Sequence, residues 1–109
     1  MEKIYLRDQE RFYAFNTEDI MYFLIMERKT VIQCKEQNYN IRLPLSHIEP
    51  LLNDNFIRVH KSCILNLDNI VFYDNKKKKA KLINDEHIDT ISDKYSCKIE
   101  KYFNEKLKI

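Results

Sequence analysis

Four side chains near the middle of the chain have the chemistry to bind a nucleic acid. Arg58, His60, Lys61 and Ser62 place two fixed cations, an imidazole and a hydroxyl within five residues. Such a set can donate hydrogen bonds both to phosphate oxygens and to the acceptor-rich edges of bases. A lysine that donates to O6 and N7 of guanine in the major groove discriminates between bases by about 1 to 3 kcal/mol. Lys61 is therefore the first candidate for a base contact, and Arg58, Ser62 and His60 are candidates for phosphate contacts.

The same residues also have a structural interpretation. Charges at the end of a strand are often only solvated, and a half-buried histidine is commonly satisfied by backbone hydrogen bonds. His60 could therefore hold the loop that carries Lys61 without touching DNA. Asn66 is expected to be structural, because an asparagine next to a strand typically organises a turn through hydrogen bonds to the backbone.

Charge is distributed unevenly along the chain. The formal net charge is +2, but residues 1–55 hold 7 Lys/Arg against 9 Asp/Glu, whereas residues 56–109 hold 12 against 8. The basic surface should therefore belong to the second half. Its densest part is the lysine run 76–79, which is either a solvated hairpin tip or a phosphate anchor. In the second case Lys77 and Lys78 contact phosphates and add affinity without sequence information.

The composition argues against a metal site, a membrane span and an export signal. The three cysteines are widely spaced without a Cys-x-x-Cys pair, and the three histidines show no ligand spacing. The longest apolar runs are far shorter than the roughly 20 residues that cross a bilayer, and the N-terminus lacks the apolar core of a secretory signal. We expect a cytoplasmic protein with reduced cysteines and without a metal ion, a cofactor or a small-molecule substrate.

The pattern of turns and strands predicts a mainly β fold. A chain of 109 residues with 44% hydrophobic residues suits a single domain, residues 1–109, with one hydrophobic core and not two. There is no glycine, so Asn and Asp are expected to supply turns that need positive φ. The candidate turns are Asp8-Gln9, Gln37-Asn38, Asp74-Asn75 and Asn84-Asp85. Between turns, the sequence predicts compact antiparallel sheets with strands at about 3–7, 11–15, 19–26, 29–35, 38–43, 56–59, 70–74, 79–84 and 87–91.

Two helices are predicted within this β framework. A short central helix runs from about Pro44 to Leu52, but Pro50 removes a backbone hydrogen bond, so we expect a short or 3₁₀-like turn. Residues 20–25 are apolar on both faces and should form a central strand. The C-terminal helix follows Ser92, a capping residue. Its inward face recurs at helical spacing and consists of Tyr95, Ile99, Tyr102 and Phe103.

The central segment resembles the signature of the LytTR DNA-binding domain family, Phe-x-Arg-x-His-(Arg/Lys)-Ser followed by apolar residues, Asn and Ile. The matching positions are Phe56, Arg58, His60, Lys61, Ser62, Asn66 and Ile70. Other family positions follow in the family's order, namely Asp19-Ile20, Leu45-x-x-Ile48-Glu49-x-x-Leu52 and Ile91-Ser92. The resemblance extends over nearly the whole chain, from about residue 2 to residue 105.

This resemblance implies a regulator of transcription that binds double-stranded DNA by loops inserted into the major groove. Family members act alone or as the output domain of a two-component response regulator, and bind paired direct repeats in promoters, so two copies per site are expected. Two further loops would supply contacts. Asp93 occupies a position where the family often has arginine, so the base contact is expected from the next residue, Lys94. The additional base contacts are then Lys29, Thr30 and Lys94, and the additional phosphate contacts are Arg28 and Ser92.

Three other classes of function share some of these features. An RNA-binding module would need exposed aromatic side chains on one sheet face, whereas the aromatic residues here fall mostly on core-facing positions. A protein-interaction β domain would tolerate removal of the loop charges. An enzyme would need an acid–base pair such as His60 and His87 beside Lys61, but nothing in the sequence places the two histidines opposite each other. We therefore expect a DNA-binding protein that is not an enzyme.

Overall fold

The computed structural model describes residues 2–107, which form ten strands and two helices. The strands are β1 (Lys3–Asp8), β2 (Arg11–Asn16), β3 (Ile20–Met26), β4 (Lys29–Cys34), β5 (Asn38–Ile41), β6 (Phe56–His60), β7 (Cys63–Asn66), β8 (Ile70–Asp74), β9 (Lys79–Leu82) and β10 (His87–Ile88). The helices are α1 (Leu45–Ile48) and α2 (Asp93–Lys106), and 3₁₀ turns lie at Thr17–Asp19, Glu49–Leu51 and Leu67–Asn69. The prediction of a mainly β fold with a short central helix and a C-terminal helix is confirmed.

Five strands form the central sheet in the order β5-β4-β3-β7-β6, and all neighbours are antiparallel. Strands β1 and β2 form a hairpin, and a third sheet has the order β10-β9-β8. The prediction that residues 20–25 form a central strand is confirmed, because β3 lies in the middle of the five. A register shift between Ile20 and Tyr22 marks a bulge that sends Met21 and Tyr22 into the same core layer.

Hydrophobic side chains pack on both faces of the central sheet. The β1–β2 hairpin and α1 cover one face, where the buried residues include Leu6, Phe15, Phe23, Ile32, Ile48 and Ile64. The three-stranded sheet and α2 cover the other face, where they include Met21, Val59, Leu65, Ala80, Leu82 and Ile99. The prediction of a single core is therefore wrong. Successive residues of a strand point to opposite faces, so a sheet covered on both sides has two apolar layers.

Strand β7 is the element that the sequence pattern does not identify. All four of its residues, Cys63–Asn66, are buried, so it lacks the alternation of polar and apolar residues that marks a strand with one wet face. Strand β9 ends at Leu82, earlier than predicted, because the chain turns at residues 83–86, and β10 begins at His87 as predicted but ends at Ile88 instead of residue 91. The segment after Pro44 has the expected short form, with Pro50 in a 3₁₀ turn.

Most turns with positive φ use residues other than Asn and Asp. Positive φ occurs at Gln9, Glu27, Arg28, Lys78 and Asp85. The expectation that Asn and Asp fill these positions is wrong for the first four. Hairpin geometry decides the conformation there, because strand pairing on both sides leaves the connecting residues little choice even though the left-handed region costs an ordinary residue roughly 1 to 2 kcal/mol.

Two buried asparagines join the end of β7 to the turn before β3. Asn66 is 1% exposed, and its Nδ2 donates to the carbonyls of Thr17 (3.2 Å) and Ile20 (2.9 Å). Its Oδ1 accepts from the backbone N–H of Asp68 at 3.0 Å. Asn69 donates a further bond to the Ile20 carbonyl, also at 2.9 Å. The predicted structural role of Asn66 is confirmed.

The three cysteines are free thiols, of which Cys34 and Cys63 are buried and Cys97 is exposed. Burial raises the pKa of Cys34 to about 11 and that of Cys63 to about 12, so both stay protonated at neutral pH.

Within residues 2–107, no group of three His, Cys, Asp or Glu side chains is arranged to hold a metal ion. In the same range, no helix combines the length and the apolar character that a bilayer span requires.

Candidate nucleic-acid interface

The β6–β7 hairpin carries Lys61 at its tip. His60 pairs with Cys63, so Lys61 and Ser62 form a two-residue turn. The Lys61 side chain is exposed. The backbone N–H of Ile25 in β3 donates to the carbonyl of Ser62 at 2.8 Å, which fixes the tip to the neighbouring strand. A rigid framework therefore presents this lysine to solvent.

Arg58 supports this turn from within the protein. Its Nε donates to the carbonyl of His60 at 3.1 Å, and its Nη2 donates to the carbonyl of Lys61 at 2.6 Å. Its Nη1 forms an ion pair with Oε1 of Glu49 at 2.8 Å. These contacts use three of the five guanidinium N–H donors. We interpret Arg58 as a residue that positions Lys61, and a phosphate contact through the remaining donors stays a prediction.

Glu49 is a member of the site to which the sequence analysis assigned no role. It reaches Arg58 from the 3₁₀ turn after α1, and this pairing depends on tertiary packing. No regular spacing connects positions 49 and 58. The sequence marks Glu49 only as a position of the family motif that begins at Leu45. That motif does not indicate that Arg58 is its partner.

The His60 imidazole also holds the turn. Its Nδ1 accepts a hydrogen bond from the backbone N–H of Ser62 at 3.1 Å. An imidazole nitrogen that accepts is unprotonated, so neutral His60 carries its proton on Nε2. The structural role predicted for His60 is thereby confirmed. Phosphate contacts from the His60 Nε2–H and from the Ser62 hydroxyl stay predictions.

The β3–β4 turn is a second exposed tip. Met26 pairs with Lys29, which leaves Glu27 and Arg28 as a two-residue connection with φ of 50° and 68°. Positive φ at both positions is the signature of a type I′ turn. Glu27, Arg28 and Lys29 are all exposed. The predicted contacts of Arg28 with phosphate and of Lys29 with a base are therefore sterically open.

Thr30 does not belong to this exposed group. It is 1% exposed, and its hydroxyl donates to the carbonyl of Leu43 at 2.5 Å. The predicted base contact of Thr30 is wrong. Side chains alternate along β4, so the residue after an outward-pointing Lys29 points inward. Its hydroxyl fixes the chain that follows β5.

The start of α2 is tied to β6. The backbone N–H of Ser92 donates to the carbonyl of Val59 at 2.9 Å, which places this helix end beside the β6–β7 hairpin. Ser92 is the residue before the helix, as predicted, but its hydroxyl makes no capping hydrogen bond to any residue of 2–107. The capping prediction is therefore right in position and wrong in mechanism. Lys94 in the first turn is exposed, and its Nζ lies 5.4 Å from the ring centroid of Tyr95.

Antiparallel pairing brings these three segments to one end of the central sheet. Leu24 pairs with Cys63, so β3 ends where β7 begins, and the turns β3–β4 and β6–β7 are neighbours. The bond from Ser92 to Val59 adds the start of α2 to the same end. Throughout the described chain, no ion pair with a carboxylate involves the three lysines of this end, which are Lys29, Lys61 and Lys94.

The lysine run lies on a different part of the surface. Residues 75–78 form the tip of the β8–β9 hairpin. The side chain of Asn75 donates to Glu100, about two turns after the start of α2. This contact places the tip beside the helix and away from its first turn. The phosphate contacts of Lys77 and Lys78 stay predictions.

The strained β3–β4 turn leads to a stability prediction. Replacing Glu27 by Asn should raise the free energy of unfolding by about 0.5 to 1 kcal/mol, because Asn adopts positive φ more readily than Glu. Denaturant unfolding measures the change. Glu36→Asn is the matched control, since Glu36 is exposed and has no positive φ. A Glu27→Asn protein no more stable than the control would contradict the turn geometry.

Comparison with known proteins agrees with this arrangement. No curated protein matches the chain in sequence. A solved structure described as "LytTr DNA-binding domain of putative methyl-accepting/DNA response regulator from Bacillus cereus" has a similar fold, with a TM-score of 0.72 and 24% sequence identity over 100% of this chain and 99% of that one. The sequence model of the LytTr DNA-binding domain matches residues 10–108. Because this match covers most of the sequence, the chain belongs to the LytTr DNA-binding domain family.

Proposed function

We propose that this member of a DNA-binding family regulates transcription by reading double-stranded DNA in the major groove. The reading elements are the β3–β4 turn, the β6–β7 turn and the start of α2. The observation that carries the proposal is their convergence, with exposed lysines, at one end of a rigid sheet. Base contacts are assigned to Lys29, Lys61 and Lys94, and phosphate contacts to Arg28, Arg58, His60, Ser62 and Ser92.

The spacing of the two hairpins suits this function. Their midlines are separated by two strand spacings, about 10 Å, because β4-β3 and β7-β6 are adjacent pairs in the sheet. The major groove of B-form DNA is about 12 Å wide and admits a two-stranded ribbon. The two tips are therefore closer together than the groove is wide, so the lysine side chains of both can reach base edges in one groove.

Two copies are proposed for each binding site, on direct repeats of a promoter. Half-sites about one helical turn apart would place both copies on the same side of the duplex.

We further propose that residues 1–109 act as one domain in the cytoplasm. The chromosomal DNA that a bacterial-type regulator binds lies in this compartment. In that setting the domain works either alone or as the output part of a response regulator.

Selection of bound sequences from a random duplex pool tests the proposed function. We expect enrichment of two similar half-sites, and a selected duplex that resists competition by single-stranded RNA of equal length. Enrichment of no duplex sequence, or stronger binding to single-stranded RNA, would contradict the proposal.

The RNA alternative has one supporting observation. Tyr5 and Phe12 are 70% and 74% exposed on the outer face of the β1–β2 hairpin and are exceptions to the expectation that the aromatic residues fall mostly on core-facing positions. Exposed aromatic rings on a sheet can stack on unpaired bases. The guanidinium of Arg7, however, lies 4.9 Å from the Phe12 ring centroid and covers one of its faces. RNA binding that Tyr5→Ala abolishes would favour this alternative.

The lysine run provides a separate prediction. Replacing Lys77 and Lys78 together by Gln should weaken binding to the selected duplex and to a scrambled duplex by the same factor, because phosphate contacts carry no sequence information. The slope of log K against log salt should fall in magnitude by about 0.9 for each phosphate that the substituted lysines no longer neutralise. Titration at several salt concentrations measures both effects. Weaker binding to the selected duplex alone would contradict a phosphate role for this hairpin.

A further inference from the structure

An open groove of 710 Å³ lies next to the β3–β4 turn. It is lined by the tip of the β1–β2 hairpin, the beginning of β4 and the end of β5, and the lining includes Arg11, Lys29 and Arg42. Lys29 already belongs to the proposed base-reading set. The groove is therefore continuous with the proposed interface, although the two arginines belong to the acidic first half of the sequence.

Strand pairing places Arg42 at the same end of the sheet as Lys29. Thr30 pairs with Ile41, so the next position on each strand brings Lys29 opposite Arg42. The Arg42 side chain is exposed. Its backbone N–H donates to Oδ2 of Asp8 at 3.2 Å, which ties the tip of the β1–β2 hairpin to this end.

Arg11 adds a second cation from that hairpin tip. It is the first residue of β2 and pairs with Asp8, the residue whose carboxylate holds Arg42. Its side chain is exposed, and Nη1 lies 3.5 Å from the hydroxyl of Tyr13. Among residues 2–107, neither arginine has a carboxylate within ion-pair distance. Both guanidinium groups are thus available to an external anion.

We propose that Arg11 and Arg42 bind the DNA backbone beside the groove that the Lys61 turn reads. This inference rests on the proposed function and extends its contact surface to the β1–β2 hairpin. Strand β5 lies three strand spacings from β7, about 14 Å. Since the major groove is about 12 Å wide, Arg42 reaches the phosphates of one wall when Lys61 lies inside. The guanidinium group suits this contact because it binds phosphate with two parallel hydrogen bonds.

Glu10 also lines the groove and opposes this contact. Its carboxylate repels the phosphates that the arginines attract. Removing that charge by Glu10→Gln should therefore strengthen binding to any duplex. Glu10→Gln should thus raise the affinity for DNA, whereas the arginine substitutions should lower it. A general destabilisation of the fold would lower the affinity in every variant.

Salt-dependent titration of the selected duplex tests the inference. Arg11→Gln and Arg42→Gln should each lower the magnitude of the log K against log salt slope by about 0.9, and the double variant by about 1.8. The ratio of affinities for selected and scrambled duplexes should stay constant. Lys35→Gln is the matched control, because it removes one exposed charge just after β4 at the opposite end of the sheet.

Two results would overturn the inference in distinguishable ways. If both arginine variants keep the slope of Lys35→Gln while the wild type binds its selected duplex, the arginines do not touch phosphate and the proposed function stands. If no duplex is selected at all, the proposed function fails and this inference fails with it. Denaturant midpoints measured on every variant separate weaker DNA binding from a destabilised fold.

Discussion

Replacing Lys61 by Ala is expected to lower the affinity for the selected duplex by about 5- to 160-fold. This decrease corresponds to the roughly 1 to 3 kcal/mol by which a good side-chain contact to a base edge discriminates between bases. The affinity for a scrambled duplex should fall much less, because one charge among many contributes little to non-specific binding. Fluorescence anisotropy with both duplexes at one fixed salt concentration measures the two affinities.

The hairpin contacts explain why this effect should be large. The carbonyl of Lys61 is held by Arg58, and the turn is fixed to β3 through Ser62. The backbone that carries the Lys61 side chain is therefore ordered before DNA binds, so the turn loses little conformational entropy on binding. Lys35→Ala is the control, with the same chemical change at the far end of the sheet. Equal decreases in affinity for selected and scrambled duplexes would show that Lys61 does not read a base.

Replacing Asn66 by Ala is expected to lower the free energy of unfolding by roughly 2 to 4 kcal/mol. The change leaves the partly buried N–H of Asp68 without its acceptor and takes one donor from each of the buried contacts to the carbonyls of Thr17 and Ile20, of which Ile20 keeps the bond from Asn69. Each buried polar group that loses its partner costs about 1 to 3 kcal/mol. Urea unfolding followed by circular dichroism measures the change.

Asn40→Ala is the matched control for this prediction. Asn40 lies in β5 with an exposed side chain, so its replacement should change the stability by less than about 0.5 kcal/mol. A similar small effect at Asn66 would mean that its hydrogen bonds do not hold the turn before β3. The folded Asn66→Ala protein should still bind DNA, because this residue ends β7 at the side remote from the Lys61 turn.

Local sequence patterns predicted much of this fold. The alternating strands, the apolar segment of β3 and the helical spacing after Ser92 all depend on neighbouring residues, and each has its predicted type. The turn that carries Lys61 was also located from its own motif. These features could be predicted because the physical cause and its effect lie within a few residues of each other.

Long-range pairing decides the features that the sequence did not reveal. Thr30 points inward because of its place in the register of β4, and β7 is hidden by burial on both faces. The contact of Arg58 with Glu49 joins two separate elements. Arg42 stands opposite Lys29 only through the pairing of β4 with β5. None of these relations has a periodic signal in the sequence.

Mapping of backbone amide shifts by NMR during titration with the selected duplex tests the central claim most directly. The largest changes should occur at residues 27–29, 60–62 and 92–94, with further changes at Arg11 and Arg42. Residues 34–38 and 66–69, at the other end of the central sheet, should change little. Largest changes at that remote end, or on the outer face around Tyr5, would contradict the claim that these three segments form the reading surface.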